Sequence, residues 1–111
     1  MAAALPLGEF EQLVLLAVLR AGDGAYGTCI LQELHSSGGR RVSRGALYVT
    51  FARLEEKGLL HGRAGEPSSA RGGRPRRYLR VSAAGLRALR ASRATLLRLW
   101  DGLEAALGEA K

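Results

Sequence analysis

Apolar residues recur at helical spacing in four segments of the chain, which predict four helices. The segments are residues 7–20, 26–36, 44–57 and 83 to about 107. Residues 59–66 and 76–81 have instead the character of β-strands. The residues between these strands are rich in Pro, Ser and Gly and predict a loop. The sequence therefore predicts three helices, a strand hairpin and a final helix.

The third predicted helix has one apolar face and one open face. Ser43 is suited to begin it, because its hydroxyl can accept a hydrogen bond from a free amide of the first turn, and Gly58 can turn left-handed just past its end. The apolar stripe comprises Leu47, Thr50, Phe51 and Leu54. The opposite face comprises Arg44, Gly45, Tyr48, Val49 and Ala52. A helix with arginine, tyrosine and small residues on its outer face could enter the major groove of DNA.

The order of the elements predicts the fold class. Two short helices joined by a glycine-rich turn, followed by the helix after Ser43, form the core of a helix-turn-helix protein. We therefore predict an α+β fold, mostly α: a winged helix-turn-helix with a C-terminal dimerisation helix. Residues 1–81 would be the winged-helix DNA-binding domain and residues 82–111 the dimerisation helix. Residues 40–42 could add a short strand before the third helix.

The first and last helices carry more apolar surface than one small domain covers. Residues 10–19 leave almost no polar face, and a helix that is apolar nearly all round needs cover on both sides. The last helix has a heptad seam of Leu86, Leu89, Arg93, Leu96, Trp100, Leu103 and Leu107. We predict a homodimer formed through Phe10, Leu13, Leu89, Leu96, Trp100 and Leu103. The alternative is that both helices pack entirely within their own domain.

Positive charge is concentrated in the predicted third helix and hairpin. The chain has 17 Lys and Arg against 10 Asp and Glu, a net charge of +7. Residues 40–80 contain eleven of the basic and three of the acidic residues, a balance of +8, so the remainder carries −1. Neutralising nucleic-acid phosphates is the commonest use of such a cluster. A solvated basic surface without a partner is the alternative.

Length and composition argue against several other classes. A chain of 111 residues is one domain, with room for an appended helix. Cys29 is the only cysteine, which excludes an intramolecular disulfide, and no apolar run is long enough to span a membrane. We therefore expect a cytoplasmic protein. Cys29, His35 and His61 fall short of a zinc site and have no evident acidic partner, so we expect no enzyme activity, cofactor or metal.

Several short motifs, in this order and spacing, resemble the PadR family of bacterial transcriptional regulators. The likeness covers residues 7–100. The motifs are Gly24-Ala25-Tyr26-Gly27, Gly45-Ala46-Leu47-Tyr48, Arg53-Leu54-Glu55-Glu56-Lys57-Gly58-Leu59-Leu60, Gly72-Gly73-Arg74, Arg76-Arg77-Tyr78 and Val81-Ser82-Ala83-Ala84-Gly85.

The resemblance implies a winged-helix homodimer that binds a palindromic operator, usually as a repressor. The single helix after the hairpin is similar to that of the smaller PadR subgroup. Many members have proline after the tyrosine of the recognition helix, where this chain has Val49. This departure lies on the predicted outer face and therefore concerns the operator sequence rather than the fold.

The predicted DNA-binding residues come from the third helix, the second helix and the loop of the hairpin, which we call the wing. Arg44 could bond a guanine edge or a phosphate, and Tyr48 would enter the groove unless it packs in the core. Tyr26 could place its hydroxyl on the DNA backbone or pack at the turn. The full predicted set is Tyr26, Ser43, Arg44, Tyr48, Arg71, Arg74, Arg76 and Arg77. The last four are assigned to the wing and to the minor groove or its phosphates. Arg76 and Arg77 point to opposite sides of one strand, so at most one would touch DNA directly.

Trp100, the only tryptophan, has two interpretations. It could anchor the core or the interface. In small PadR relatives that bind drugs, an aromatic residue of the last helix stacks on planar compounds between the subunits, and Trp100 could bind a small planar effector in the same way. Two rival functions for the whole chain also stay open: a winged-helix protein–protein adaptor and an RNA-binding module.

Overall fold

The computed structural model describes residues 7–67, 72, 73 and 75–108. Its elements are α1 (Glu9–Ala21), α2 (Gly27–Ser36), α3 (Arg44–Glu56), β1 (Leu60–Pro67), β2 (Pro75–Val81), α4 (Ala83–Trp100) and one 3₁₀ turn, Ala105–Leu107. The predicted fold class is confirmed: a mostly helical winged helix-turn-helix with an antiparallel hairpin between α3 and α4.

Serine hydroxyls begin two of the helices, and the first of these, Ser43, is the one that the sequence analysis predicts. Ser43 Oγ accepts a hydrogen bond from the Ala46 amide at 3.1 Å. Ser82 Oγ accepts from the Gly85 amide at 3.0 Å and donates to the Gly58 carbonyl at 2.7 Å. The same hydroxyl therefore joins the first turn of α4 to the turn that ends α3, where Gly58 has a φ of 75°.

Close packing reinforces this junction between α3 and α4. Gly85 is buried, and a Cβ atom there would overlap the Leu59 carbonyl oxygen and lie 2.7 Å from Val81 Cγ1. Only glycine lets α4 begin this close to the start of the hairpin. The first part of α4 therefore belongs to the winged-helix core.

The core lies between the helices and the inner face of the hairpin. Its largest fully buried side chains are Val14, Leu15, Ile30, Leu34, Leu47, Leu54 and Leu60. The predicted stripe of α3 is confirmed, since none of its four side chains is more than 4% exposed. Thr50 fits in this stripe because its hydroxyl donates to the Ala46 carbonyl at 3.0 Å.

The pairing of β1 with β2 shows which of their residues share a face. Leu60 lies opposite Val81, and His61 lies opposite Arg80. Because side chains alternate along a strand, Leu60 and Val81 face the core, while His61 and Arg80 face outward. The pairing continues to Ala64 opposite Arg77 and becomes irregular towards Pro67.

The turn before α2 adds a third partner to this sheet. The Leu79 amide donates to the Ala25 carbonyl at 2.9 Å, and Tyr26 forms an isolated bridge with Tyr78. The prediction of a strand at residues 40–42 was wrong, because that segment is irregular and closes α2. There the Arg40 amide donates to a carbonyl of α2, and its guanidinium pairs with Glu9 at 3.0 Å.

The last helix is shorter than predicted. It ends at Trp100, because Asp101 has a ψ of 126° and Gly102 a φ of 80°, both outside the helical region. The prediction of one helical seam continuing through Leu103 and Leu107 was therefore wrong. Leu103 lies in the turn after the helix, where its amide donates to the Trp100 carbonyl at 2.9 Å.

A partly buried ion pair joins the start of α1 to the end of α3. Glu11 is 6% exposed, accepts from the Gly8 amide at 3.0 Å and lies 2.8 Å from Lys57 Nζ. Burial raises the pKa of Glu11, but the hydrogen bonds from Lys57 and Gly8 and the charges of Lys57 and Arg53 outweigh it. The pKa of Glu11 therefore lies below its usual 4.5.

Candidate nucleic-acid interface

The outer face of α3 is open to solvent over its whole length. Arg44, Gly45, Tyr48, Val49 and Ala52 are all exposed, Tyr48 to 45% and Val49 to 59%. The predicted orientation of the helix is thus confirmed. A helix with one face open in this way can enter the major groove, which is wide enough to admit an α-helix.

Arg44 and Tyr48 rest against the first turn of α2. Arg44 Nη2 donates to Thr28 Oγ1 at 2.9 Å. The Tyr48 ring packs edge-on to Phe51 at 5.5 Å between centroids, while its hydroxyl lies over Gly27, where a Cβ atom would be 2.6 Å away. Tyr48 therefore packs against Phe51 and Gly27 but stays 45% exposed outside the core, and its contact with the groove stays a prediction.

The N-terminus of α2 lies beside this face. Tyr26 occupies the N-cap position in extended conformation, and among the described residues no side chain caps the helix there. The first-turn amides of Gly27, Thr28 and Cys29 thus carry the partial positive charge of a helix start. Arg44 adds a full positive charge a few ångströms away. Together they form a surface that attracts a phosphate.

Alternating arginine and tyrosine side chains connect the start of α2 to the outer face of the hairpin. Arg76 Cζ lies 3.9 Å from the Tyr26 ring centroid. The Tyr26 and Tyr78 rings meet edge to face at 6.2 Å, and Arg63 Cζ lies 4.9 Å from the Tyr78 centroid. Such cation–π contacts hold the guanidinium groups over the rings. Tyr26 therefore packs at the turn, as one of its two predicted interpretations requires.

Arg77 takes the opposite face of β2, as the sequence predicts. Its guanidinium pairs with the Glu55 carboxylate in the last turn of α3. Arg76 and Arg77 thus contact different helices from the two faces of one strand. The Glu55 partner was missed by sequence reasoning, because only the docked position of the hairpin brings the two side chains together.

Two of the predicted wing residues, Arg71 and Arg74, lie outside the described residues. Their assignment to the minor groove or its phosphates stays a prediction.

The predicted dimerisation residues divide into two groups. Phe10, Leu13 and Leu89 are half-buried against the core of their own domain. Leu96, Trp100 and Leu103 are 46%, 47% and 47% exposed. Only the second group is exposed enough to contact another protein surface. Within that group, Leu103 lies beyond the end of α4.

Two exposed leucines of α1, Leu16 and Leu19, are not among the predicted dimerisation residues. They are 45% and 43% exposed. Leu86, which the predicted seam does include, is 41% exposed. The near absence of a polar face in α1 indicated that part of the helix needs further cover. It could not indicate which leucines face outward, since that depends on how α1 docks onto α3 and the hairpin.

The surroundings of Trp100 bear on its predicted effector role. The fold forms a cleft of about 480 Å³ between the end of α1 and the outer face of the hairpin, lined among others by Leu19, His61, Arg63 and Tyr78. Trp100 is not among the residues that line this cleft and stands at the end of α4. The cleft therefore gives no support to an effector site at Trp100.

Other kinds of site find little support in the described part of the chain. Within residues 7–67, 72, 73 and 75–108, no three His, Cys, Asp or Glu side chains are grouped as metal ligands. In the same ranges, no helix has the length and apolar character to cross a membrane. Cys29 is partly buried in α2.

A helix-turn-helix core, an open third helix and a hairpin rich in arginine define a winged-helix DNA-binding protein. Residues 15–91 match the family described as "Transcriptional regulator PadR-like family". The chain belongs to this family of DNA-binding transcriptional regulators.

Solved structures agree with this assignment. A PadR family transcriptional regulator from Eggerthella lenta is 32% identical, with a TM-score of 0.68 over 89% of this chain and 86% of that one. A PadR-like transcription factor from Bacteroides fragilis is 25% identical, with a TM-score of 0.70 over 87% and 88%. A PadR-like transcriptional regulator from Bacillus cereus, 21% identical with a TM-score of 0.63 over 89% and 87%, shares the fold. A comparison with curated proteins gave no match.

Proposed function

We propose that the protein is a homodimeric repressor that binds a palindromic operator in duplex DNA. The observation that carries this proposal is the open outer face of α3 beside the uncapped first turn of α2. These features support the proposal, because an open helix face can enter the major groove and a helix start attracts a phosphate. As a regulator acting on DNA, the protein would work in the cytoplasm.

In this proposal, Tyr48 and the small residues of α3 face the bases, while the amides of α2 and the start of α3 at Ser43 face phosphates. Arg44 contacts a phosphate rather than a guanine edge. Its guanidinium is already directed towards Thr28 at the start of α2 and would have to leave this bond to reach the centre of the groove. Arg71 and Arg74 would extend the contact along the backbone from the wing.

The proposed dimer forms through the exposed leucines of α1 and α4. Leu16, Leu19, Leu86, Leu96 and Trp100 are each more than 40% exposed. Large apolar side chains exposed at this density are typical of an interface between subunits. With two recognition helices about 34 Å apart, the dimer would contact successive major grooves on one side of the duplex.

We also propose that residues 1–81 form the DNA-binding domain and residues 82–111 the dimerisation region. The first turns of α4 serve both, because Gly85 and Ala88 are buried in the core. The exposed second half of the helix would then carry the subunit contact.

Trp100 is proposed to anchor the dimer, and a planar effector stacked on it is the competing role. Because it is the only tryptophan, its fluorescence reports on this position alone. Dimerisation would shift its emission to shorter wavelength on raising the protein concentration. Saturable quenching by a planar aromatic dye, lost in Trp100→Leu, would instead support an effector site.

The decisive experiment is selection of duplexes bound by the purified protein from a random pool, at two salt concentrations. Enrichment of an inverted repeat, with half-sites about one helical turn apart and affinity that falls steeply with salt, supports the proposal. Binding without enrichment would indicate a non-specific architectural role. Absence of binding at either salt would favour a protein–protein adaptor, and preference for structured RNA would favour an RNA-binding module.

The direction of regulation needs a separate measurement. A reporter gene with the selected repeat placed across its promoter should be expressed less when the protein is present. A rise in expression would contradict the repressor role and leave DNA binding intact. A scrambled repeat of the same length is the control.

A further inference from the structure

The ion pair between Glu55 and Arg77 joins the two elements that would touch DNA. Glu55 belongs to the last turn of α3, and Arg77 belongs to β2. The Glu55 side chain is only 26% exposed, whereas that of Arg77 is 51% exposed. The arginine therefore lies over a sheltered carboxylate at the base of the hairpin and does not extend freely into solvent.

The hairpin leaves room for this pair at Gly62. A Cβ atom at this position would lie 2.6 Å from Glu55 Oε2 and 2.7 Å from Arg77 Cζ. Gly62 is on β1, two residues from Ala64, which pairs with Arg77, so it shares the face of Arg77. The absence of a side chain at Gly62 lets the guanidinium cross the strand and reach α3.

The opposite face of the same strand is held by a different helix. Arg76 lies over the ring of Tyr26, which precedes α2. The hairpin is therefore attached to α2 by one arginine and to α3 by the next. A two-stranded hairpin is marginal on its own, so contacts of this kind decide its angle to the helices.

We propose that Arg77 is a positioning residue: paired with Glu55, it sets the angle of the hairpin strands β1 and β2 relative to α3. This inference rests on the proposed DNA-binding function and assigns Arg77 a role other than direct phosphate contact. Strands fixed before binding lose less conformational freedom when the duplex binds, so the pair raises affinity without touching DNA.

The test compares matched variants that change one charge each. Glu55→Ala and Glu56→Ala both remove a carboxylate from the last turn of α3, but only Glu55 is paired. Arg77→Ala and Arg80→Ala both remove a guanidinium from β2. Neither the Glu56 nor the Arg80 side chain has a hydrogen bond or ion pair with another described residue.

The affinity of the Glu55→Ala variant for the selected duplex distinguishes the two roles of Arg77. A positioning role predicts weaker binding, and direct phosphate contact predicts equal or stronger binding. Removing a negative charge near DNA should strengthen binding or leave it unchanged, as expected for Glu56→Ala. Glu55→Ala should instead weaken binding about three- to fivefold, like Arg77→Ala, because an exposed pair contributes modestly. The exchanged pair Glu55→Arg with Arg77→Glu should restore affinity to within about twofold of the parent protein.

Two results would overturn the inference. If Glu55→Ala binds at least as tightly as Glu56→Ala, then Glu55 restrains an arginine that contacts phosphate directly. If the exchanged pair binds worse than Arg77→Ala alone, the position of the positive charge matters and the pairing does not.

A second measurement separates this inference from the DNA-binding proposal. Amide hydrogen exchange of β1 and β2 in the free protein should be faster in Glu55→Ala and Arg77→Ala than in the two controls, and normal in the exchanged pair. Equal exchange in Glu55→Ala and Glu56→Ala would refute the positioning role. If the parent protein bound no duplex, the function proposed above would fail, while the exchange data would still decide what the pair does.

Discussion

The helices α3 and α4 have the same kind of sequence and opposite surroundings. Both begin at a serine whose hydroxyl accepts from an amide of the first turn, and both carry a stripe of large apolar side chains. The stripe of α3 is buried throughout, whereas from Leu96 to Trp100 all the large apolar side chains of α4 are 46–68% exposed. An amphipathic pattern therefore indicates which face of a helix is apolar. It does not indicate whether that face packs in the core of its own domain or is left for contact with another molecule.

The largest expected effect is on the free energy of unfolding, which should respond differently to substitutions in the apolar stripes of α3 and α4. Leu54→Ala, in the buried stripe of α3, should lower the free energy of unfolding by about 2–5 kcal/mol, because it leaves a cavity. Leu99→Ala, at the most exposed large apolar position of α4, should change it by less than about 0.5 kcal/mol. Urea unfolding at one protein concentration measures both. Similar losses would mean that the outer half of α4 is also part of a core.

The second prediction concerns what covers α4. Leu96→Glu should raise the dissociation constant of the proposed dimer roughly thirtyfold or more, because a carboxylate would be buried in an apolar contact. Light scattering during size-exclusion chromatography at micromolar concentration would then give a monomer.

Leu103→Glu is the matched control for that prediction. Leu103 has nearly the same exposure as Leu96 but lies beyond the end of α4. We expect it to weaken the dimer less. An equal or larger effect would show that the turn after Trp100 contributes to the contact as much as the helix does.

A third, smaller effect is expected on the outer face of α3. Tyr48→Ala and Arg44→Ala should each weaken binding to the selected duplex by about 1–3 kcal/mol while leaving the dimer intact. Arg87→Ala, which removes an exposed arginine from α4, is the control for the loss of charge. Fluorescence anisotropy at two salt concentrations measures the change. The prediction fails if Arg87→Ala weakens binding as much as the two variants in α3.

The smallest effect concerns acid stability at the end of α3. The pKa of Glu11 is lower in the folded protein than its usual 4.5, so its ion pair stabilises the fold fully above that value. The contribution is lost as pH falls through the lowered pKa. Glu11→Gln should therefore be less stable than the parent protein near neutrality, and the gap should close below about pH 4.5. Thermal unfolding across pH 3–7 would measure it, and a constant gap would contradict the assignment.

The elements with strong local signals were predictable from the sequence. The bounds, caps and two faces of α3 followed from Ser43, Gly58 and the spacing of four buried residues, all of which act within one helix. The two strands of the hairpin followed in the same way. These features depend on neighbours in the chain, so periodicity contains the information.

The features that were missed or predicted incorrectly have two causes. Some are contacts that form only when elements dock in three dimensions, and one is a helix stop signal that was given less weight than the spacing of the leucines. The pairing of Arg77 with Glu55 requires the hairpin to dock on α3, and the bridge from Tyr26 to Tyr78 requires the turn before α2 to dock on β2. The heptad count extended α4 through Asp101 and Gly102, although this pair carries a stop signal that leucine spacing cannot override. The exposed leucines of α1 were indistinguishable from the buried ones in so apolar a helix.

The hydroxyl of Ser82 has a mechanical consequence for the whole molecule. Because it bonds both the Gly58 carbonyl and the Gly85 amide, α3 and α4 meet at a joint without a flexible linker. In the proposed dimer, a rotation of α4 at the subunit contact would therefore move α3 with it. Substitutions in α4 could then change the distance between the two α3 helices. Evolution could in this way change the preferred spacing of the half-sites without altering the residues of α3 that face the bases.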